Sequence, residues 1–188
     1  KTVVAATLRA VQLLGRQFVL GQNMKEAQRE ADSARKHANL TFSYDMLGEG
    51  ARTDEDALRY LQSYTDAIDS IASKADKTGA MEKNDGISIK LSALHPRYED
   101  AHSARVMAEL VPRVWGLCQR AAAANINLTV DAEEVDRLEL SLELLEARPD
   151  VAATRNKWEA ACLRVQTARA EFYPAVRLIG TIGTAAER

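Results

Sequence analysis

Three short strand patterns alternate with longer helix patterns along the middle of the chain. β-branched, aromatic and alternating apolar residues predict strands over 40–47, 87–93 and 125–132. Apolar residues three and four apart predict helices over 53–75, 105–123 and 133–146. Strands that alternate with helices form parallel sheets with the helices packed outside. The sequence therefore predicts an α/β fold with about three parallel βα units, in an open sheet or as part of a TIM-like (β/α)8 barrel.

Further helices flank this βα region. Two are predicted before the first strand, over 2–18 and from Asn23 to about residue 37, and a third over 155–170, with strand or coil at 175–182. The helix that starts at Thr53 has the clearest apolar stripe, formed by Ala57, Leu58, Leu61, Tyr64, Ile68 and Ile71. We therefore divide the chain into an N-terminal helical segment (1–38), a partial barrel (39–146) and a divergent tail (147–188).

Composition excludes several classes of protein. The 188 residues are 46% hydrophobic and 28% charged, which is typical of a globular chain, and the net charge of −2 offers no electrostatic attraction for nucleic acid. No apolar run approaches the ~20 residues that span a bilayer. The two cysteines and three histidines lack the spacing of metal ligands. We expect a cytoplasmic protein with reduced cysteines, without a metal site and without nucleic acid as a partner.

One lysine interrupts the second strand pattern. In G-I-S-I-K-L-S, starting at Gly86, Lys90 lies within a run of alternating and apolar residues that includes Ile87, Ile89 and Leu91. An ammonium group buried in such a strand loses its hydration unless an anion meets it. One interpretation is that Lys90 faces a small anionic ligand. The alternative is that Lys90 pairs with a carboxylate inside the barrel and serves packing alone.

Acidic residues follow the other two strand patterns. Asp45 and Glu49 come at and after the end of the first strand, and Asp131 ends the third. Because the carboxyl ends of parallel strands meet at one mouth, Asp131 could pair with Lys90 there. Asp131 could equally be the N-cap of the next helix, with Glu133 and Glu134 as first-turn acids that favour the helix dipole. For Asp45 and Glu49 the alternative is a pair of solvated loop acids.

Three long motifs together resemble a known family. They are F-S-Y-D-M-L-G-E-G-A at 42–51, G-I-S-I-K-L-S-A-L-H-P-R-Y at 86–98 and V-D-A-E-E-V-D-R-L-E-L-S-L-E-L-L at 130–145. In type, order and separation they resemble the proline dehydrogenase domain of proline utilization A, a bacterial flavoenzyme. The resemblance implies a distorted (β/α)8 barrel that binds FAD and oxidises L-proline to 1-pyrroline-5-carboxylate.

The resemblance also implies roles for individual residues. Lys90 would bind the substrate carboxylate, and Asp131 would lie at the active site beside the flavin. Ala132 would touch the cofactor, and Glu49 would take part in an ion pair that closes the site over the substrate. Some full-length members of the family associate peripherally with membranes to pass electrons to quinone.

After Leu145 the resemblance fades. Trp158 and Gln166 echo a later strand of the family in which the glutamine contacts the flavin ring, although the same segment reads as an amphipathic helix. We expect a truncated or frame-altered form of the family's barrel. The alternative to a proline dehydrogenase is a non-catalytic half-barrel that acts through self-association, as a homo-oligomer, or through a partner chain, because an open sheet edge invites pairing.

Overall fold

The predicted strands form one parallel sheet in the order β1–β2–β3, with β1 at Ser43–Asp45, β2 at Gly86–Ile89 and β3 at Leu128–Val130. The computed structural model describes residues 19–47 and 50–171, together with residues 4, 7, 11 and 15, which are helical. Parallel pairing confirms the α/β class. Gly86 is the first residue of β2. A Cβ added at this position would lie 2.8 Å from the Asn127 carbonyl oxygen, so only glycine fits this close approach without displacing the backbone.

Helices precede, connect and follow the strands along the chain. They are α1 (Met24–Arg35), α2 (Asp54–Ala72), α3 (Leu91–Leu94), α4 (Ser103–Ala123), α5 (Leu138–Glu146) and α6 (Pro149–Glu171). Short 3-10 turns lie at Met81–Lys83, Asp100–His102 and Val135–Arg137. The chain divides into two compact units, residues 1–148 with the sheet and residues 149–188 with α6.

The two faces of the sheet differ in polarity. Side chains alternate between faces along a strand, so the register places Tyr44, Ile87, Ile89, Leu128 and Val130 on one face. These apolar side chains belong to the core that the sheet forms with α2 and α4. The opposite face carries Ser43, Asp45, Ser88 and Thr129. A polar face that continues to the strand ends is where a polar site can be built.

The second strand is shorter than predicted. β2 ends at Ile89, and the predicted strand residues after it turn into the short helix α3, whose four residues are all buried. Continuous apolar sequence does not distinguish a buried strand from a buried helical turn, and this caused the error. Lys90 therefore lies between strand and helix rather than inside the strand.

The stripe predicted after Thr53 is largely confirmed. Thr53 and Asp56 form a capping box that opens α2, and Ala57, Tyr64, Ile68 and Ile71 are buried. Leu58 is 56% exposed, so its assignment to the buried stripe is wrong. Leu61 is only partly buried against the core.

The secondary structure predicted near the two ends of the chain either differs from the observed structure or lies outside the described residues. Most of the predicted helix 2–18 is outside them, and Val4 and Val11, which are described, are exposed. α6 begins at Pro149, earlier than the predicted 155, and residues 175–182 are not described. No helix within the described residues is long and apolar enough to cross a membrane.

Candidate active site

Lys90 is fixed by its backbone at the carboxyl end of β2. Its backbone is extended, and its N–H donates to the Tyr64 hydroxyl of α2 at 3.1 Å. Tyr64 is buried, and burial raises the pKa of its hydroxyl, which therefore stays neutral. The hydrogen bond to Tyr64 thus fixes the backbone of Lys90 against helix α2 at the end of β2. Because side chains alternate along the strand, the Lys90 side chain lies on the same polar face of the sheet as Ser88.

The Lys90 ammonium joins the ends of all three strands. Its Nζ lies 2.8 Å from Asp45 Oδ1 and 2.9 Å from Asp45 Oδ2, at the end of β1. It also lies 3.0 Å from Asp131 Oδ2, just beyond β3. The Lys90 side chain is only 12% exposed, so these carboxylates supply the negative charge that its burial requires.

This geometry decides between the alternatives left open for the two aspartates. The chain beyond Asp131 stays non-helical until the 3-10 turn at Val135, and the Asp131 N–H donates to the Ile89 carbonyl, which extends the pairing of β2 and β3. The N-cap interpretation of Asp131 is therefore wrong, and its predicted pairing with Lys90 is confirmed. Asp45 is not a merely solvated loop acid, because both of its oxygens contact Lys90.

Glu133 has a different place from the one predicted. It lies in the non-helical segment between β3 and the 3-10 turn at Val135. Its Oε1 accepts the Ser92 N–H of α3 at 2.9 Å. Its Oε2 is 3.3 Å from Nη1 of Arg137. Its side chain is 10% exposed, whereas that of Glu134 is 66% exposed and also pairs with Arg137. Glu133 therefore ties the loop after β3 to α3 and is not a first-turn helix residue.

A pocket of about 490 Å³ opens beside Lys90. Its lining combines small residues with polar and ionisable ones: Gly50, Ala51, Lys90, Ser92, His95, Pro96, Tyr98, Glu99, Ala132, Glu133, Glu134 and Arg137. All three loops that follow the strands contribute. This volume lies in the range of small-molecule sites. A pocket at the carboxyl ends of parallel strands is typical of barrel enzymes.

Two ionisable groups in the pocket wall are held neutral. Burial lowers the pKa of His95, with Glu109 opposing that effect, and its Nδ1 accepts the Arg97 N–H. Burial also raises the pKa of Tyr98, whose hydroxyl contacts Ser141 Oγ at 2.5 Å. The charged groups beside the pocket are therefore Lys90 with its aspartates, Glu99, and the Glu133, Glu134 and Arg137 group.

Two predicted site residues cannot be placed at this mouth. Glu49 lies outside the described residues. The backbone of Gln166 belongs to α6, in the second unit, and its side chain lies outside the described part of the chain. Within the described residues, no group of three or more His, Cys, Asp or Glu side chains is arranged to hold a metal ion.

Sequence reasoning missed Tyr64 as a site residue. A tyrosine within the mainly aliphatic stripe of α2 was the available signal, because a buried hydroxyl needs a polar partner. It also missed the specific contact between Glu133 and Ser92, which involves a backbone donor and leaves no pattern in the sequence.

Comparison with known proteins gives the chain its family. A sequence profile described as Proline dehydrogenase matches residues 27–179. The chain belongs to the proline dehydrogenase family. The match extends past residue 146, so the proline dehydrogenase similarity continues into the segment predicted to diverge and includes Gln166.

Curated relatives agree with this family. The chain is similar to the bifunctional protein PutA of Klebsiella aerogenes, with 48% identity over 137 residues. The same identity and length hold for PutA of Escherichia coli, and PutA of Rhizobium meliloti is 47% identical. The aligned residues are 73% of this chain and only 10% of the Klebsiella protein.

Solved structures agree as well. A mutant of proline utilization A from Bradyrhizobium japonicum is 47% identical with a TM-score of 0.64, and the match covers 80% of this chain and 15% of that one. Proline utilization A from Bdellovibrio bacteriovorus, inactivated by N-propargylglycine, gives a TM-score of 0.70 at 24% identity, which shows the fold alone. The three-stranded sheet thus corresponds to part of a TIM-like proline dehydrogenase barrel.

Proposed function

We propose that this chain provides the first three strand ends of an FAD-dependent proline dehydrogenase site, which oxidises L-proline to 1-pyrroline-5-carboxylate. The observation that carries the proposal is the Lys90 ammonium, held at the carboxyl ends of three parallel strands by Asp45 and Asp131. Membership of the proline dehydrogenase family gives the reaction class. A cytoplasmic location is part of the proposal.

Lys90 is the proposed ligand for the proline carboxylate. Its ammonium is a compact positive charge with three donors, and little of it is exposed. A carboxylate bound by such a group gains a charge-assisted hydrogen bond, which is stronger than a neutral one. Fixing the carboxylate fixes the proline ring, and positioning of this kind lowers the barrier of the following step.

The residues beside Lys90 suit the edge of a planar cofactor. Ala132 lines the pocket directly after Asp131, and Gly50 and Ala51 line it from the loop after β1. Such small side chains would leave room for a flat ring, and Asp131 would offer it a hydrogen-bond acceptor. We therefore assign cofactor contact to Ala132 and Asp131. A bound FAD would supply the acceptor for the hydride that leaves the proline ring.

Two further roles complete the proposal. Glu49 follows β1 and is proposed to close the site over the substrate through an ion pair. Gln166 lies within the residues that match the proline dehydrogenase family, which supports its assignment as a flavin contact. Peripheral membrane association would belong to the longer relatives.

Visible spectroscopy tests the proposal. The purified chain is incubated with FAD, passed through a gel-filtration column, and measured before and after L-proline is added. We expect retained flavin absorbance that bleaches with proline. Lys90→Met keeps the length of the side chain and removes its charge, and should weaken proline binding by roughly ten- to a hundredfold.

A matched variant separates this effect from general loss of charge. Lys74 pairs with Asp32 on the surface. Asp32 also pairs with Arg35, which reaches Asp85 directly before β2, so this pair lies near the amino end of the strand and Lys74→Met should leave proline binding unchanged. A colourless protein after gel filtration, or equal proline affinity in Lys90→Met and the wild type, would contradict the proposed function.

Two observations favour a second candidate, a non-catalytic half-barrel that self-associates. β1 and β3 are both edge strands of the described sheet. Val135, Leu138 and Leu142, at and before α5, are exposed apolar residues. Analytical ultracentrifugation of the same flavin-free sample distinguishes the two candidates: a dimer that retains no flavin supports the second.

A further inference from the structure

Two hydrogen bonds join the segments that leave β2 and β3. Asp131 is the first residue beyond β3, and its N–H donates to the Ile89 carbonyl at 3.0 Å. Two residues later, Glu133 Oε1 accepts the Ser92 N–H of α3 at 2.9 Å. Past the last backbone bond of the sheet, a carboxylate side chain therefore continues the connection between the two segments.

Glu133 is itself held in place by contacts within the pocket wall. Its side chain is 10% exposed, and its Oε2 lies 3.3 Å from Arg137 Nη1. The Arg137 guanidinium lies over the Tyr98 ring, 5.7 Å from the ring centroid. Ser141 Oγ donates its single proton to the Arg137 carbonyl at 2.8 Å, so the Tyr98 hydroxyl is the donor in its bond to Ser141. One carboxylate oxygen of Glu133 is thus fixed by Arg137, and the other is left for Ser92.

The two joined segments carry the two sides of the proposed site. Lys90, two residues before Ser92, is the proposed ligand of the substrate carboxylate. Ala132, directly before Glu133, is a proposed cofactor contact, and all four residues line the same pocket. Substrate and cofactor must meet in a reactive geometry, and a displacement of about 1 Å can lower a rate about a hundredfold. The bond between Glu133 and Ser92 spans the two sides.

We propose that Glu133 is a positioning residue for the proline dehydrogenase reaction: by joining the loop after β3 to α3, it fixes the substrate side of the pocket relative to the cofactor side. This inference rests on the proposed function, because it takes Lys90 and Ala132 in the roles proposed for them. Glu133 contacts neither ligand in this role, so its loss lowers the rate of the reaction and leaves both binding affinities nearly unchanged.

Stopped-flow reduction of the FAD-loaded full chain by L-proline separates rate from binding. In Glu133→Ala, we expect the limiting rate of flavin bleaching at saturating proline to fall by roughly tenfold or more. The Kd values for FAD, from flavin fluorescence, and for L-proline should each change by less than about threefold. Glu133→Gln keeps an oxygen that can accept the Ser92 N–H, and should keep the limiting rate within about threefold of the wild type.

Hydrogen exchange of the flavin-free chain gives a readout that does not depend on the reaction. Without its acceptor, the Ser92 amide should exchange roughly tenfold or more faster in Glu133→Ala than in the wild type. Residues 131–134 should exchange faster in the same variant, because the bond restrains both segments. In Glu133→Gln the Ser92 amide should stay protected.

Ile71→Val is the matched control for lost stability. Ile71 is buried in the last turn of α2, which leads to the segment before β2 and so lies towards the amino ends of the strands. This variant destabilises the core without touching the pocket, and its limiting rate should equal that of the wild type. An equal fall of the limiting rate in Ile71→Val and Glu133→Ala would reduce the effect to lost stability and overturn the inference.

Three other results also overturn the inference. They are an unchanged exchange rate of the Ser92 amide in Glu133→Ala, an unchanged limiting rate, and a loss of affinity for either ligand at an unchanged limiting rate, which would make Glu133 a binding residue. If Glu133→Ala does not fold, as judged by circular dichroism, Glu133→Asp decides. It keeps the charge beside Arg137 but is one methylene shorter, so it should lower the limiting rate as the alanine variant would, and a wild-type rate overturns the inference.

The two proposals can fail separately. If proline bleaches the flavin of the wild type in a manner that depends on Lys90, and Glu133→Ala keeps the wild-type limiting rate, the role of Glu133 is wrong and the proposed function stands. A wild-type chain that retains no flavin overturns both proposals.

Discussion

The backbone N–H of Lys90 donates to the hydroxyl of Tyr64, 26 residues earlier in the chain, at 3.1 Å. This bond joins the end of β2 to the buried face of α2, and so links the packing of the core to the position of the charged side chain. The core and the candidate active site are therefore not independent parts of the molecule.

Replacing Tyr64 by phenylalanine should destabilise the protein without changing its shape. The variant keeps the buried ring but leaves the Lys90 N–H without its acceptor, at a cost of about 1–3 kcal/mol in the free energy of unfolding. Urea denaturation followed by circular dichroism measures this cost. Tyr60→Phe is the control, because Tyr60 is only partly buried and its ring lies beside the exposed Arg59. Equal stability of Tyr64→Phe and the wild type would show that the bond contributes nothing.

Two positions of α2 should respond very differently to truncation. Ile68 is fully buried between the helices and the sheet, so Ile68→Ala leaves a cavity and should cost about 2–5 kcal/mol. Leu58 is 56% exposed on the same helix, and Leu58→Ala should change the stability by less than about 0.5 kcal/mol. Chemical denaturation of both variants checks the orientation of α2. A larger loss for Leu58→Ala than for Ile68→Ala would mean that α2 is rotated.

Tyr44 should make the stability depend on pH in the alkaline range. Burial, with the Asp85 carboxylate beside it, raises the pKa of Tyr44 from 10.0 to about 12. The folded state then holds the Tyr44 proton more tightly than the unfolded state does. This contribution is fully present below pH 10 and is lost as the pH rises towards 12, by at most about 1.4 kcal/mol per pH unit.

A comparison with Tyr44→Phe isolates this effect, because burial also raises the pKa values of Tyr64 and Tyr98. Urea midpoints measured between about pH 8 and about pH 11 should fall more steeply for the wild type than for Tyr44→Phe. Parallel curves for the two proteins would mean that Tyr44 titrates alike in the folded and unfolded states.

Glu133 should matter far more than its neighbour Glu134. Glu133→Ala removes the acceptor of the Ser92 N–H, which lies in the first turn of buried α3, and should cost about 1–3 kcal/mol. Glu134→Ala removes an exposed ion pair with Arg137 and should cost less than about 1 kcal/mol. Thermal unfolding of both variants measures the difference. Indistinguishable melting temperatures would contradict a stabilising role for the contact between Glu133 and the Ser92 N–H of α3.

Sequence alone determined the order of the three strands and of the long helices between them, because the spacing of apolar residues depends on local geometry: every second residue in a strand and every third or fourth in a helix. The sequence also predicted that Lys90 and Asp131 lie close together, because the carboxyl ends of parallel strands lie at the same edge of a sheet. The residue types, order and separation of three motifs were enough to indicate the proline dehydrogenase family.

Only the tertiary structure decided where β2 ends and what each acidic residue does. A buried run such as Leu91–Leu94 has the same apolar sequence whether it forms a strand or a helical turn, so the surrounding packing chose the helix. From the sequence, Asp131 could have been an N-cap or the partner of Lys90, Asp45 a solvated loop acid, and Glu133 a first-turn helix acid. Their roles depend on distances between residues about 40 or more positions apart, and local sequence patterns carry no such distances.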